Sequence, residues 1–337
     1  MSKRLSEADT ASLAEAMLQS PLDTADLNTI QDAINRLDHA LLVRRDPDEP
    51  WSPKNRQTAK AVVVIAPART GKTYCIDYAV RHLSPLPAPL NEQVAAPFAV
   101  TAPSFFTIEE LGRSLLAPMN LLPARALGAG MTMSRLYTRV GLKRPRLVHI
   151  DEFQRVLTPE RVAPSRRQEA QVKIFSHIRD LLDLATWPLP LVLSGTRALQ
   201  EVLERPDMDF IRERCTFIEL KPMSIDNADD RLDLADALDA YGEIAQMRIG
   251  IEKKTDFFGR LILASNYNRG LAFEVCREAI LLAAQVDDMV GPEHFAAFYA
   301  RKVGCLPTAN PFLASNWKLV TPGALFAELL SERGVKK

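Results

Sequence analysis

A chain of 337 residues, 47% of them hydrophobic, can bury one large core and a smaller companion. Its 42 Lys and Arg balance 42 Asp and Glu, which removes net charge as an argument for a nucleic-acid partner. No run of 18 apolar residues occurs, the start Met1–Glu7 lacks a signal-peptide core, and Cys75, Cys215, Cys276 and Cys305 lie far apart without a CxxC pair. A cytoplasmic protein with reduced thiols, no membrane partner and neither zinc nor disulfides is expected.

In chain order, Ala11–Leu18 and Asp26–Val43 read as helices, the second with Leu27, Ile30, Ile34, Leu37 and Leu41 at helical spacing. The proline- and charge-rich Asp46–Lys60 follows as a linker, so residues 1–60 form a helical arm. Ala61–Ile65 is a short β-branched run of the kind buried on both faces of a parallel sheet. A helix from Gly71 to about His82, a proline-rich turn, strand Phe98–Thr101, helix Ile108–Leu116, strand Leu147–Ile150, helix Gln168–Ala185 and strands Leu189–Leu193 and Phe217–Leu220 continue the pattern. That order implies an α/β core over 61–222, a parallel sheet with helices on both faces. The strands stop after Pro222. A small helical lid domain is expected over 223–300, and 301–337 reads as a tail with a short helix at Gly323–Leu330.

The segment Ala66-Pro67-Ala68-Arg69-Thr70-Gly71-Lys72-Thr73 fits GxxxxGK[ST] at every defined position except the first, where alanine stands. Such a loop binds nucleotide phosphates because its backbone N–H groups and the following helix N-terminus point at them. Gly71 permits close backbone approach, Lys72 reaches the β- and γ-phosphate oxygens, and the Thr73 hydroxyl ligates Mg²⁺. ATP and Mg²⁺ are the expected cofactors. An alanine is tolerated at position 66 if its φ is negative.

About 80 residues downstream, Arg146–Glu152 is an apolar strand ending in two acids. Asp151 at the strand tip would hold Mg²⁺ and Glu152 would polarise the attacking water. A hydroxyl at the end of the Leu189–Leu193 strand, Ser194 or by preference Thr196, would orient that water; alternatively Thr196 simply caps the helix from Arg197. Arg214, and second Arg212, are candidates for an arginine finger acting on a neighbouring subunit's γ-phosphate, against a bland reading as surface arginines paired with Glu213 and Asp209. Arg269, opening a long helix, is placed to reach back over the phosphates, although Asn268 or Asn266 can be read as a plain helix cap.

With these elements in this order the chain resembles the AAA+ ATPases of the TniB and TnsC type, relatives of the Mu B protein. The resemblance runs over roughly residues 25–300 and is carried by the Leu27–Leu41 helix, ARTGKT at Ala68–Thr73, HIDEFQRVL at His149–Leu157, LVLSGTRALQEVL at Leu191–Leu203 and RERCTFIELKPM at Arg212–Met223. In these terms the hydroxyl after the Leu189–Leu193 strand is sensor 1 and Arg269 is sensor 2. The resemblance implies target-site selection in DNA transposition: a homo-oligomeric ring or filament on duplex DNA that recruits a transposase, often with a TniQ-like targeting protein. Ala66 and the long proline-rich tail depart from the family pattern.

Between Leu111 and Ile150 stand Arg113, Arg125, Arg135, Arg139, Lys143, Arg144 and Arg146 with no acid, whereas Asp226–Asp239 is strongly acidic. Arg125, Arg135, Arg139, Lys143 and Arg144 fall where AAA+ proteins place pore-facing loops and would contact DNA phosphates; the alternative is a solvated positive face. Phe312 and Trp317 in the tail suit either docking into a partner or folding back on the helical domain. The competing functions are a scaffold NTPase that never touches DNA and, third, a replication loader or initiator.

Overall fold

The computed structural model describes residues 7–20, 24–42, 58–88, 90–104, 107–120, 128–157, 162–252 and 256–322. Helices α1 (Glu7–Gln19) and α2 (Ala25–Leu42) precede β1 (Ala61–Ile65), α3 (Lys72–Arg81), α4 (Leu90–Gln93), β2 (Phe98–Thr101), α5 (Ile108–Leu116) and α6 (Ala129–Lys143). Next come β3 (Val148–Asp151), α7 (Arg167–Leu182), β4 (Leu191–Gly195), α8 (Arg197–Leu203), α9 (Asp209–Arg212) and β5 (Cys215–Glu219). The chain continues through α10 (Ala228–Ala245), β6 (Arg248–Ile249), α11 (Phe257–Ala264), α12 (Arg269–Val286), β7 (Met289–Val290) and α13 (Pro292–Val303). It divides into an α/β unit, Ala25–Ala68 with Lys72–Leu220, and a helical unit, Met1–Thr24 and Lys221–Lys337 with the three loop residues Arg69–Gly71.

In the α/β unit all five strands are parallel, in the order β2-β3-β4-β1-β5. The β-branched run of β1 is buried throughout because both faces are covered. Ala61, Val63 and Ile65 enter the larger core with Phe153, Phe175 and Trp187, while Val62 and Val64 meet Ile30 and Ile34 of α2 and Ile76 of α3. Side chains two apart therefore serve different layers, as strand geometry requires. Strand β4 starts at Leu191 rather than Leu189: Pro190 has no N–H for the ladder, and Leu189 N donates instead to Leu181 O at 3.0 Å.

Within the acid-free stretch between β2 and β3, Ala129–Lys143 is a helix where a loop was expected. Thr107 caps α5, its side chain accepting from Glu110 N at 3.1 Å. Helix α6 has no such sequence sign, since it starts from Gly128 at φ +74 with no side-chain cap and ends at Arg144 in the left-handed region.

The helical unit closes its own core around Leu234, Leu238, Tyr241, Phe257, Phe258 and Phe295, with Met17 of α1 included. The segment after α13 belongs to this core. Asn310 is fully buried, donating to Ala296 O at 2.9 Å and accepting from Phe312 N at 3.0 Å. Arg260 donates to the carbonyls of Pro311 and Ala314, and Phe312 and Trp317 are buried, so the tail aromatics are used inside the protein rather than offered to a partner. The expected helix at 323–330 lies outside the described residues, and no described helix is long and apolar enough to cross a membrane.

Candidate nucleotide site

The loop between β1 and α3 turns through two positive-φ residues, Arg69 at +65° and Gly71 at +91°. Glycine takes such a conformation at little steric cost, whereas Arg69 pays for it in strain, as residues at ligand-binding loops do. Ala66 keeps a negative φ and is buried, its N–H donating to Gly195 O at 3.0 Å, so the methyl is accommodated. Pro67, Ala68 and Arg69 are exposed and Thr70 is buried.

The tips of β3 and β4 and the start of α3 bring five functional side chains together. Thr73 Oγ1 donates to Asp151 Oδ2 at 2.7 Å, and Asp151 Oδ1 accepts from Ser194 Oγ at 2.5 Å and from Glu152 N at 2.8 Å. Half-burial alone would raise the Asp151 pKa; the hydrogen bonds from Ser194, Thr73 and Glu152 N outweigh it and hold the group below its ordinary value. Lys72 is 4% exposed, and its ammonium lies 3.9 Å from Glu152 Oε1. Glu152 has φ +56, and its other carboxylate oxygen accepts from Gln154 Nε2 at 2.6 Å.

These residues fit a phosphate and a divalent cation. A buried ammonium whose nearest carboxylate is 3.9 Å away still has donors to give. The Thr73 hydroxyl, having placed its proton on Asp151, keeps its lone pairs for a cation. Among the described residues no cluster of three His, Cys, Asp or Glu makes a self-sufficient metal site. A cation here would be shared with phosphate oxygens, as Mg²⁺ sites commonly are.

The hydroxyl that meets Asp151 is that of Ser194, on β4. Thr196 stands at the N-cap of α8 without a side-chain cap hydrogen bond. His149, two residues before Asp151 on the same strand face, is 1% exposed, and its Nε2 lies 2.8 Å from Ser194 Oγ. Burial pushes its pKa down, and Lys72 adds to that, against upward pulls from Asp151 and Asp77. Sequence reasoning passed over His149 and the Gln154 contact, although both lie inside the HIDEFQ string.

Arg214 hydrogen-bonds through its backbone to Ala61 N at 2.9 Å, at the end of β1 opposite the phosphate loop. The five-residue strand separates the two ends by about 13 Å. Its guanidinium is 2.6 Å from Asp183, and Arg212 is 2.6 Å from Asp209 and donates to Glu204 O. In the helical unit Arg269 is engaged by Asp230 and, at 3.4 Å, Asp233, while Asn268 caps α12 by accepting from Leu271 N at 3.0 Å.

Of the cations proposed for DNA, Arg135, Arg139 and Lys143 recur every four residues along α6, hence on one side of the helix. No described carboxylate forms an ion pair with any of the three, and the Arg135 Nε is buried without a hydrogen-bond partner. Arg144 follows at the cap, and Arg125 lies outside the described residues. Arg146, part of the same basic stretch, is instead buried in a bidentate pair with Asp38 of α2 at 2.7 and 2.6 Å.

Residues 55–203 match the family described as AAA domain. No curated protein matches the sequence. Among solved structures, the ORC2 protein of Aeropyrum pernix in its ADPNP-ADP complexes aligns with a TM-score of 0.60 at 14% identity, over 87% of this chain and 75% of that one. The Aeropyrum pernix ORC1 protein in complex with DNA gives 0.58 at 16%, over 95% and 82%, and Cdc6p from Pyrobaculum aerophilum gives 0.53 at 12%, over 95% and 90%. At these identities the likeness is one of fold. The chain thus has the AAA+ P-loop fold, and its α/β unit carries an AAA-type ATPase domain.

Proposed function

We propose that this AAA+ ATPase is a Mg·ATP-driven switch that assembles on duplex DNA and regulates DNA transposition in the manner of TniB and TnsC proteins. The observation that carries the DNA step is the stripe Arg135, Arg139 and Lys143, which forms no ion pair among the described residues, on the unit that holds the nucleotide site. Contacts of this type read phosphates rather than bases, which suits target selection without a fixed sequence. The transposition reading itself rests on the HIDEFQRVL and LVLSGTRALQEVL segments and brings a transposase and a TniQ-like protein as partners in the cytoplasm.

In this reading the backbone of Ala66–Thr73 cradles the phosphates, Lys72 binds the β- and γ-phosphate oxygens, and Thr73 with Asp151 holds Mg²⁺. Bound Mg²⁺ would neutralise charge on the transferring phosphoryl group. Glu152 takes the proton of the attacking water, and Ser194 with Thr196 shapes the space around it. Arg214 or Arg212, at the sheet end away from its own phosphate loop, would serve a neighbouring subunit of a ring or filament, and Arg269 would respond to nucleotide from the helical unit. A DNA-loading initiator is the second reading, favoured by the fold likeness to ORC1 solved with DNA.

Electron microscopy and ATP turnover with and without random-sequence duplex DNA test this. Nucleotide-dependent rings or filaments on DNA, absent in Lys72→Ala and retained in Glu152→Gln, are expected. Binding confined to one DNA sequence would favour the initiator, and ATP binding with no DNA association would replace both with a scaffold NTPase.

A further inference from the structure

The protons around Asp151 can be assigned from chemistry. An ionised carboxylate only accepts, so the Ser194 hydroxyl spends its single proton on Asp151 Oδ1, 2.5 Å away. Ser194 Oγ must then accept at its 2.8 Å contact with His149 Nε2, which fixes the imidazole as the Nε2–H tautomer. The other ring nitrogen agrees with this: Nδ1 is buried with no hydrogen-bond partner, its nearest carboxylate being Asp77 Oδ1 at 3.9 Å. A bare lone pair is a smaller penalty there than an unused N–H would be.

We infer that His149 is a positioning residue of the ATPase site, holding the Ser194 hydroxyl rotor so that its proton points at Asp151 and the carboxylate faces Thr73 and the cation. The register explains how a residue below the site does this. His149 pairs beside Val192 and Ile150 beside Leu193, so the next level sets Asp151 beside Ser194, and the period of two puts His149 on the same face. Without an N–H from below, the hydroxyl can turn away, and Asp151 loses one of its three donors. Supporting groups of this kind typically change metal affinity or activity by about 10- to 100-fold.

The inference rests on the Mg·ATP reading, and its test separates the two. Gln at 149 carries an amide nitrogen near the place of Nε2, whereas Asn carries its amide near Nδ1 and falls short of Ser194; both are polar and similarly costly to bury. Fluorescent-nucleotide titration with Mg²⁺ and with EDTA, and steady-state turnover, are measured for wild type, His149→Gln, His149→Asn, Ser194→Ala and the His149→Asn/Ser194→Ala double variant, with thermal unfolding to confirm that each folds. His149→Asn and Ser194→Ala are expected to lose about tenfold or more of kcat and of the Mg²⁺-dependent gain in ATP affinity, with affinity in EDTA unchanged. The double variant should be no worse than Ser194→Ala, and His149→Gln should recover most of the loss. Additive losses, equal behaviour of Gln and Asn, or a change in stability alone would overturn the positioning role. Wild-type protein whose ATP affinity ignores Mg²⁺ would instead overturn the Mg·ATP reading beneath it. Should His149→Asn fail to fold, Ser194→Thr is read beside Ser194→Ala: Thr keeps the hydroxyl and should recover function with His149 or with His149→Gln, both of which offer an N–H, and should lose that recovery with His149→Leu, which offers none; recovery that persists with His149→Leu would overturn the positioning role.

Discussion

Lys72 Nζ and Glu152 Oε1 stand 3.9 Å apart, so the lysine expected to bind phosphate and the proposed general base share a field. Removing the carboxylate's charge frees Lys72 for an anion. Glu152→Gln is expected to bind ATP as tightly as wild type or tighter while turnover falls by about 100-fold or more, the scale of a lost general base. Lys72→Ala should instead weaken ATP binding by roughly 10- to 100-fold, as loss of a charge-assisted hydrogen bond does. Nucleotide titration beside phosphate release distinguishes the two, and equal affinity losses in both variants would contradict the assigned roles.

Arg146 and Asp38 form a buried bidentate pair, which Arg146 extends to Ser84 O at 2.8 Å. Asp38→Ala leaves a guanidinium buried without its partner and is expected to cost about 3–5 kcal/mol by urea unfolding. Asp38→Ala with Arg146→Met removes both charges and should recover most of that loss. An equal or larger loss in the double variant would show that the pair stabilises beyond its own desolvation.

That pair also shows where sequence reading reaches its limit. Arg146 counts as part of a basic stretch because its partner is 108 residues away. The strand–loop–helix at Ala61–Arg81 and the acid pair at Asp151 are legible, since β-branched runs and phosphate chemistry are both local. Helix α6 is not: Gly128, Gly130 and Thr132 weaken helix propensity where it begins, and packing against α5 stabilises it instead. The choice between Ser194 and Thr196 turns on the β3–β4 register, a tertiary fact that no spacing in one strand reports. The burial of Phe312 and Trp317 likewise depends on Asn310 and Arg260, far apart in sequence.

If Arg135, Arg139 and Lys143 meet DNA phosphates, their effect is electrostatic and independent of sequence. Each replacement by Ala should weaken binding to any duplex and lower the slope of log affinity against log salt by about 1. Arg113→Ala, whose cation lies 3.9 Å from Glu110 on α5, is the control and should leave the slope unchanged. Unchanged slopes in all three would remove α6 from the interface.

Cys276 is fully buried, and burial raises its thiol from 9.0 to about 12, with Arg277 pulling weakly the other way. At pH 8 its thiolate fraction is then on the order of one in ten thousand, so iodoacetamide should leave it unlabelled in native protein and label it once unfolded. The unfolded thiol ionises from about pH 9 while the folded one stays protonated, so the contribution to stability is complete below 9 and declines as pH rises towards 12. Mass spectrometry of native protein with Cys276 modified at pH 8 would contradict the burial.

Gly259 of α11 faces Trp317: a Cβ there would lie 2.8 Å from Cη2 of the indole and 3.4 Å from Cζ2 and from Ile225 Cγ2. Two effects of Gly259→Ala oppose each other. In a helix interior, alanine is favoured over glycine by about 1 kcal/mol. Against that, the ring is 5% exposed and lies beneath the Arg260 guanidinium at 5.5 Å, so it cannot step aside freely, and overpacking of this kind costs about 1–3 kcal/mol. Net destabilisation of up to about 2 kcal/mol is expected. Trp317→Leu removes the ring, and in that background the same Gly259→Ala change should stabilise by about 1 kcal/mol, because only helix propensity remains. Denaturant unfolding followed by circular dichroism reads the reversal of sign; the same sign in both backgrounds would mean that the contact does not decide the stability of α11.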